Sequence, residues 1–312
     1  MTDVFKNRRA GFISIIGAPN TGKSTLLNTI LKTKISIVTP KAQTTRSRII
    51  GIHILKETQL IFIDTPGLFS PKRRLDRAMV SAARESAENA EIVLYLVDST
   101  KNLDVNTLDI IHKKKTSDKV LKNFPPIILV LNKIDIGKKE KLLGLTDQLQ
   151  KTEIFSEVFM ISALNGDGVK DLLQYLAKLL PKGPWLYPSD QLSNVSDRFL
   201  AAEITREKLY LQLHQELPYA ATIETENWQE NSDGSIKIDQ VVYVERASQK
   251  AIVIGKGGKR IKSIGAAARQ ELERTLGCNV HLFLFVKVSQ NWGEDPERYK
   301  NWELTFDSFG PK

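Results

Sequence analysis

Apolar residues in the first 180 positions lie in short, continuous runs separated by longer segments of mixed polarity. Runs that are apolar throughout are typical of strands buried on both faces of a largely parallel sheet, and the mixed segments have helical spacing. The sequence therefore predicts strands at 12–16, 60–63, 92–97, 127–131 and 158–161, with helices at 23–31, 76–89, 103–113, 140–151 and 168–180.

This alternation predicts an α/β domain over residues 1–182, with a doubly wound, mostly parallel sheet. Ligand-binding loops of such folds lie at the carboxyl ends of the strands. Residues 181–197 contain three prolines and several polar turn formers. This composition predicts a linker at 183–197.

The pattern then changes to a different order of elements. The predicted elements are a helix at about 196–215, strands near 219–228 and 236–245 around a turn at 231–234, a helix before GKGG, a helix at 258–276 and a strand at 280–288. This order predicts an α+β domain over 198–290, followed by a tail at 291–312. Five aromatic residues of the tail are expected to pack onto that domain, although they could stack on bases: Trp292, Tyr299, Trp302, Phe306 and Phe309.

Length and charge add to this picture. A chain of 312 residues suits two separate cores. A single cysteine and the lack of an apolar stretch of roughly 20 residues predict a cytoplasmic protein without disulfides.

The formal net charge of +9 favours a polyanion, either nucleic acid or anionic lipid. Seven cations lie between Glu245 and Glu271 with no acid among them: Arg246, Lys250, Lys256, Lys259, Arg260, Lys262 and Arg269.

Residues 17–24 read GAPNTGKS and match the phosphate-loop pattern G-x-x-x-x-G-K-[ST] between a predicted strand and a predicted helix. The glycines let successive backbone N–H groups point at phosphate oxygens, helped by the positive end of the helix. Lys23 is placed to reach the β- and γ-phosphates, and the Ser24 hydroxyl to ligate magnesium. ATPases and small-molecule kinases share this loop, so it does not name the nucleotide.

The tetrapeptide NKID at 132–135 follows a predicted strand directly. The Asp135 carboxylate could accept two hydrogen bonds from the ring N–H and the exocyclic amine of guanine, a donor pair that adenine lacks. Two further loops follow strands, DTPG at 64–67 and SAL at 162–164.

The ordered set GxxxxGKS, TTR, DTPG, NKxD and SAL resembles the Ras-like GTPase superfamily, in its translation-factor-related branch. The resemblance implies that Asp64 holds magnesium through a water and that Gly67 senses the γ-phosphate. It also implies that Thr45, with Thr44 as the less favoured alternative, closes over both. Asn132 and Asp135 would frame the guanine, whose carbonyl oxygen would touch the backbone of Ala163.

The resemblance thus assigns three overlapping sets of residues. The nucleotide-binding set is Gly17, Ala18, Pro19, Asn20, Thr21, Gly22, Lys23, Ser24, Thr25, Asp64, Thr65, Pro66, Gly67, Asn132, Lys133, Asp135, Ser162, Ala163 and Leu164. The magnesium set is Ser24, Thr45 and Asp64, and the catalytic set is Lys23, Thr45, Gly67 and Asn20.

Leu68 departs from the Ras-like pattern, because a glutamine in that position orients the attacking water. Leucine can neither donate nor accept a hydrogen bond, so we expect slow intrinsic hydrolysis. In similar GTPases an asparagine at the position of Asn20 helps to hold a potassium ion, which supplies positive charge. The other interpretation is that Asn20 only stabilises the turn.

The second domain carries G-x-x-G at 255–258 between two predicted helices. Two glycines let a turn approach a polymer backbone closely, and nearby cations would meet phosphates. The element order resembles a type II KH domain, although a helix–turn–helix with solvated lysines would also explain the motif. The predicted RNA-binding residues are Ile254, Gly255, Lys256, Gly257, Gly258, Lys259, Arg260 and Lys262.

A GTPase domain, a linker and a type II KH domain in this order resemble the Era-type GTPases across almost the whole chain. The segments SDRFLAAEITREKL, LPYAATIE, VERASQKAIVIGKGG and VHLFLFVKV carry that resemblance. It implies a monomeric GTP/GDP switch that binds single-stranded RNA near the 3′ end of small-subunit (16S) ribosomal RNA. The implied role is maturation of the small ribosomal subunit.

Three rival interpretations remain at this point. A P-loop kinase or ATPase would prefer adenine nucleotides, against the Asp135 element. A membrane-surface switch would use its basic face on anionic lipid, on the inner face of the plasma membrane, with the KH-like fold as an interaction module. A GTPase with tandem nucleotide domains would need a second GKS sequence, and only one occurs.

Overall fold

The computed structural model describes residues 7–41, 43–71, 73–103, 125–213 and 217–306. The described residues divide into two compact units. The first takes those of 1–35, 45–194 and 299–312, and the second takes those of 36–44 and 195–298. Each unit therefore combines pieces that are distant in the sequence.

The first unit is built on a six-stranded sheet in the order β2-β3-β1-β4-β5-β6. Its strands are β1 (Arg9–Gly17), β2 (Ile49–Leu55), β3 (Thr58–Asp64), β4 (Ile92–Asp98), β5 (Ile127–Asn132) and β6 (Glu157–Ile161). All neighbours are parallel except β2 and β3, which are antiparallel. The predicted α/β class with a mostly parallel sheet is confirmed, and each predicted strand lies within or overlaps one of these.

Helices pack against this sheet through their apolar faces. They are α1 (Lys23–Leu31), α2 (Arg74–Glu88), α3 (Lys139–Gln150) and α4 (Val169–Leu179). Leu142, Leu145 and Leu149 of α3 join the core around β4 and β5, while α1 and α4 contact β2 and β3. Residues 104–113 of the helix predicted at 103–113 lie outside the described ranges.

Strand β2 was not predicted. Its sequence IIGIHIL reads as one more apolar run, and its partner β3 follows after only two residues. Gly51 has a packing reason, because a Cβ there would lie 2.6 Å from Leu27 Cδ1 and 2.8 Å from Leu31 Cδ1. The glycine lets α1 pack closely over this edge of the sheet.

Part of the predicted linker at 183–197 follows the edge made by β2 and β3. Gln59, fully buried, donates to the Tyr187 carbonyl at 2.8 Å and accepts from the Leu186 N–H at 2.8 Å. The Ile52 N–H donates to the Leu192 carbonyl at 2.8 Å. These bonds fix residues 186–192 on the first unit.

The second unit contains a three-stranded sheet in the order β7-β8-β9, with β7 (Ala221–Glu230), β8 (Ile236–Val244) and β9 (Val280–Val288). Strands β7 and β8 are antiparallel, and β8 and β9 are parallel. Its helices are α5 (Asp197–Gln212), α6 (Ala247–Ile254) and α7 (Lys259–Leu276). Apolar residues of α5, α6 and α7 share one core with β7 and β8, as expected of an α+β domain.

The aromatic tail is divided between the two units: Trp292 packs on the second unit as predicted, whereas the described aromatic residues from Tyr299 onward belong to the first. Trp292 is buried in the second unit, where its indole N–H donates to the Ala220 carbonyl at 3.0 Å. A short helix α8 (Pro296–Asn301) follows, and Tyr299 and Phe306 belong to the first unit, with ring centroids 4.9 Å apart. Phe309 lies outside the described residues.

Candidate nucleotide and RNA sites

The phosphate loop connects β1 to α1, and two of its glycines are required by their surroundings. Gly17 has φ 147°, and a Cβ there would lie 2.3 Å from the Leu96 carbonyl oxygen. Gly22 has φ 99°, and a Cβ there would lie 2.2 Å from Asn132 Nδ2. Any other residue would push the loop away from β4 and from the base-binding loop.

Lys23 begins α1 and is buried, although it is a lysine. Its ammonium donates to the carbonyl oxygens of Gly17 at 3.1 Å and Ala18 at 2.9 Å. The Thr21 hydroxyl also donates to Ala18, at 3.0 Å. The charge of Lys23 is therefore held inside the loop, where phosphate oxygens would meet it.

Three oxygen atoms from three different segments converge beside the start of α1. Ser24 Oγ lies 2.9 Å from Thr45 Oγ1 and donates to Asp64 Oδ2 at 2.6 Å. Two hydroxyls and a carboxylate are the hard oxygen ligands that magnesium prefers. Thr44 instead bonds Thr39 and the Lys41 carbonyl, which favours Thr45 as the magnesium ligand.

Residues 64–68 run back toward the phosphate loop. A Cβ on Gly67 would lie 2.9 Å from Pro19 N, so the two loops are in close contact. The Thr65 hydroxyl donates to the Ile15 carbonyl at 2.9 Å. The Leu68 N–H donates to the Gly17 carbonyl at 3.0 Å, and its side chain packs against the core of β4 and β5. The Leu68 side chain is thus partly buried against the core of the first unit.

The NKID loop is joined to the phosphate loop by two side chains. Asn132 donates to the Thr21 carbonyl at 2.7 Å and accepts from the Ala163 N–H at 2.8 Å. Lys133 donates to the Asn20 carbonyl at 2.8 Å. Asp135 is exposed, so its carboxylate is accessible to a base.

The last loop of this site, SAL at 162–164, lies against the same region. The Thr29 hydroxyl donates to the Ala163 carbonyl at 2.6 Å, and Ser162 accepts from the Asn165 N–H at 3.2 Å. Leu164 is 75% exposed. The structure therefore brings Thr45, the phosphate loop and the loops at 64–67, 132–135 and 162–164 together at one end of the sheet.

Sequence reasoning missed Asp98, the last residue of β4. Asp98 is opposite Asn132 in the register of β4 and β5, and its Oδ2 lies 2.7 Å from Lys133 Nζ. Burial alone would raise the pKa of Asp98, but hydrogen bonds from Lys133 and Thr100 outweigh it and lower the pKa. The signal in the sequence is a polar residue directly after the apolar run at 92–97.

The GKGG loop lies between α6 and α7 in the second unit. Gly255, Gly257 and Gly258 have φ of 73°, 61° and 73°, all in the left-handed region. Among the described residues, and apart from the chain neighbours, no atom lies within 4 Å of a Cβ built on Gly257 or Gly258, so both face open space. The loop therefore presents bare backbone that a polymer could approach.

The cations of this loop divide into two kinds. Lys256, Lys259 and Lys262 are exposed. Arg260 is half-buried and donates to the Ile252 carbonyl at 2.8 Å, at the end of α6. A Cβ on Gly255 would lie 2.7 Å from Arg260 Cβ, so Arg260 packs under the loop and stabilises its shape.

Residues 36–44, here called the switch segment, belong to the second unit and bind α5. The Arg206 guanidinium donates to the Thr44 carbonyl at 2.6 Å, and Glu207 accepts from the Val38 N–H at 3.0 Å. Lys41 donates to the carbonyls of Tyr210 and Leu213 at the end of α5. The next residue, Thr45, belongs to the first unit.

Comparison with known protein families agrees with the description of both the nucleotide site and the RNA site. A family model described as 50S ribosome-binding GTPase matches residues 12–133, and one described as KH domain matches residues 216–293. Fold, site and these matches define a GTPase that carries a KH domain.

Curated relatives extend the match to the whole chain. GTPase Era of Brucella suis biovar 1 (strain 1330) is 53% identical over 298 residues, covering 96% of this chain and 94% of the relative. GTPase Era of Bradyrhizobium sp. (strain ORS 278) is also 53% identical over 298 residues, covering 96% and 95%. The chain belongs to the GTPase Era family, and it hydrolyses GTP.

Two solved structures are similar over nearly the full length. A single-residue variant of Aquifex aeolicus Era bound to GDP·AlF4⁻ has a TM-score of 0.86 and 39% identity, covering 94% of this chain and 98% of the other. Era in complex with MgGDPNP and nucleotides 1506–1542 of 16S ribosomal RNA has the same TM-score and identity, covering 95% and 98%. The predicted family and fold class are confirmed. Within the described residues, no helix is both long and apolar enough to cross a membrane.

Proposed function

We propose that this protein is a GTP-driven switch that binds single-stranded RNA near the 3′ end of 16S ribosomal RNA and acts in assembly of the small ribosomal subunit. The loop at 255–258 carries the RNA assignment, because two of its glycines face open space and exposed lysines flank it. The similar Era structure with nucleotides 1506–1542 of 16S ribosomal RNA supports the same ligand.

Crosslinking to cellular RNA, followed by sequencing, tests this function. Reads should concentrate at the 3′ end of 16S ribosomal RNA and should rise with a GTP analogue. The Gly257→Asp plus Gly258→Asp variant should lose them. Reads spread evenly over abundant RNAs, unchanged in this variant, would contradict the proposal.

Magnesium is the proposed cofactor, held by Ser24, Thr45 and Asp64 (through a water). Its two charges would neutralise the phosphate oxygens and stabilise the charge that develops on the γ-phosphate. Lys23 would add a fixed positive charge beside the same oxygens, and Gly67 would contact the γ-phosphate through its backbone. The convergence of three oxygen groups at 2.6 to 2.9 Å supports this assignment.

Potassium is the proposed second ion, near Asn20. Asn20 has φ 65°, and Lys133 holds its carbonyl. Since Leu68 cannot orient water, we expect turnover to be slow and faster in potassium than in sodium. Single-turnover hydrolysis in the two salts measures this, and equal rates would assign Asn20 to the turn alone.

The switch segment is the proposed link between nucleotide and RNA. Thr45 would respond to magnesium and the γ-phosphate, while Thr44, one peptide bond away, is held by Arg206 of α5. Nucleotide state would then change RNA affinity, and RNA would change GTP affinity by an equal factor.

Arg206→Gln tests this link. The ratio of RNA affinities with GTP analogue and with GDP should move toward one in this variant. Arg198→Gln is the matched control on the same helix, since Arg198 bonds the carbonyls of Thr225 and Glu226 instead. An unchanged ratio in Arg206→Gln would refute the link but neither activity.

A peripheral fraction at the inner membrane surface and a monomeric state complete the proposal. The exposed lysines at 256, 259 and 262 are suited to anionic lipid as well as to RNA. Flotation with anionic vesicles, with and without competing RNA, separates the two ligands. Sedimentation with GDP should give one protomer per particle, because each proposed site is complete within one chain.

A further inference from the structure

Asp98 is a buried acidic side chain beside the NKID loop, where it pairs with Lys133. It is 5% exposed and ends β4, next to the end of β5. Its Oδ2 lies 2.7 Å from Lys133 Nζ, and its Oδ1 accepts from the Thr100 N–H at 3.0 Å and the Thr100 hydroxyl at 2.6 Å. The ammonium of Lys101, a mostly exposed side chain, lies farther from Oδ2, at 3.8 Å. Both carboxylate oxygens are thus engaged in fixed directions.

Lys133 connects this carboxylate to the phosphate loop. The same ammonium that binds Asp98 donates to the Asn20 carbonyl at 2.8 Å. Both Lys133 and Asn20 have left-handed backbones, with φ of 69° and 65°, which non-glycine residues adopt only when their surroundings impose it. The Lys133 ammonium thus lies between Asp98 and Asn20 and holds the NKID loop against the phosphate loop.

We propose that Asp98 is a positioning residue for guanine-nucleotide binding, which acts by holding Lys133 on the carbonyl of Asn20. Asp98 neutralises the lysine, fixes its direction and so keeps the phosphate loop and the NKID loop at the spacing that a nucleotide needs. Without it, the half-buried ammonium would turn to solvent and release Asn20. The inference extends the GTPase activity, and it rests on the nucleotide site assigned above.

Asn132 and Asp98 have different proposed roles at this site. Asn132 joins the same two loops through the Thr21 carbonyl and is itself a proposed base contact. Among the described contacts of the Asp98 carboxylate, the one with Lys133 leads to the phosphate loop. Loss of Asp98 should therefore weaken GDP and GTP binding by the same factor and leave the preference for guanine unchanged.

The test measures dissociation of fluorescent GDP and of a fluorescent GTP analogue from the full chain. Asp98→Asn keeps the shape but removes the charge, and it should raise both dissociation rates about tenfold, as expected for a lost hydrogen bond between charged groups. Asp147→Asn is the matched control, because it breaks a Lys–Asp pair of 2.5 Å on the surface of α3. That control should dissociate like the parent.

A double-mutant cycle tests whether Asp98 acts through Lys133. Lys133→Met should be as severe as Lys133→Met plus Asp98→Asn, since Asp98 is proposed to act through the lysine. Additive effects would overturn the proposal, as would a rate in Asp98→Asn equal to that of Asp147→Asn. A role in folding alone would lower the melting temperature of the nucleotide-free protein without changing the dissociation rate.

Thr100→Val provides a milder variant, should Asp98→Asn fail to fold. It removes the hydroxyl that fixes Oδ1 and should raise the dissociation rate about two- to threefold, in line with one neutral hydrogen bond. An unchanged rate in folded Thr100→Val would overturn the proposal. Competition with adenine nucleotides in the parent tests the site assignment separately, because loss of guanine preference there would refute the site and not the role of Asp98.

Discussion

The phosphate loop and the GKGG loop are both glycine-rich turns ahead of a helix, but their glycines serve opposite purposes. Side chains at Gly17 and Gly22 would collide with Leu96 and Asn132 at 2.3 and 2.2 Å. A Cβ at Gly257 or Gly258 would meet nothing within 4 Å in the part of the chain that the structure describes. The first loop needs glycine because neighbouring protein fills the space, and the second needs it because a ligand must enter the space.

The hydrogen bonds of the phosphate loop and the GKGG loop differ in the same way. Carbonyls of the phosphate loop accept from Lys23, Asn132 and Lys133. The described contacts of the GKGG loop are fewer, and the main side-chain support is Arg260 of α7, which donates to the Ile252 carbonyl of α6. A small, highly charged ligand is thus met by a rigid cradle, whereas a polymer is met by an accessible backbone with lysines around it.

Gly22→Ala in the phosphate loop should have the largest effect, which is a loss of GTP affinity. The new methyl group would displace Asn132, and φ 99° is strained for alanine, so we expect GTP affinity to fall at least about 100-fold, roughly 3 kcal/mol. RNA affinity measured without nucleotide should stay within about twofold of the parent. Gly144→Ala in α3, where a Cβ meets no atom of the described segments within 4 Å, is the control and should bind GTP normally.

Asp135→Asn should change which base is bound. An amide offers one acceptor and a donor in place of two acceptors, so GTP affinity should fall on the order of 100-fold while xanthosine triphosphate gains. Competition binding with the two nucleotides measures this exchange. Asp147→Asn should leave both affinities as they are, and an undiminished GTP affinity in Asp135→Asn would reject the base assignment.

Gly257→Asp plus Gly258→Asp should weaken RNA binding by the GKGG loop. Two carboxylates would repel phosphates and fill the open space, so affinity for single-stranded RNA should fall about 10- to 100-fold, with GTP hydrolysis unchanged. Gly234→Asp is the control, since Gly234 has φ 79° and open space but lies in the turn between β7 and β8. Equal losses in both variants would show that strain, not the RNA contact, is responsible.

Lys256→Gln and Lys259→Gln should have the smallest effect. Each removes one exposed cation, which should lower the slope of log affinity against log salt by about 0.7 for a single strand. Arg260→Gln should behave differently, because Arg260 supports the loop, and should weaken binding at all salt concentrations. Titrations at several salt concentrations distinguish the two kinds of cation.

The grouping of the loops at 17–24, 64–67, 132–135 and 162–164 was predictable from the sequence, because each of these motifs is placed at the end of a strand. The contact of Asp98 with Lys133 was not predictable, because a single acid after an apolar run is too weak a signal until β4 and β5 set it opposite Asn132. Arg260 was predicted as an RNA contact from charge alone, and charge cannot show that a guanidinium is directed at the carbonyl of Ile252.

Tertiary contacts also determine features of the fold that the sequence pattern does not show. Residues 186–192 read as a linker because prolines and turn formers dominate, while the fully buried Gln59 that fixes them is distant in sequence. The switch segment similarly takes its place from α5, roughly 170 residues later. Local propensity carries no information on such partners.

The division of the chain has a practical consequence for anyone who tries to separate the two activities. A protease that cuts within 183–197 leaves an N-terminal fragment that still contributes residues 36–44 to the second unit. The C-terminal fragment still contributes residues 299–306 to the first. The nicked protein should therefore elute as one species and come apart only in denaturant, and expressing either half alone would leave both incomplete.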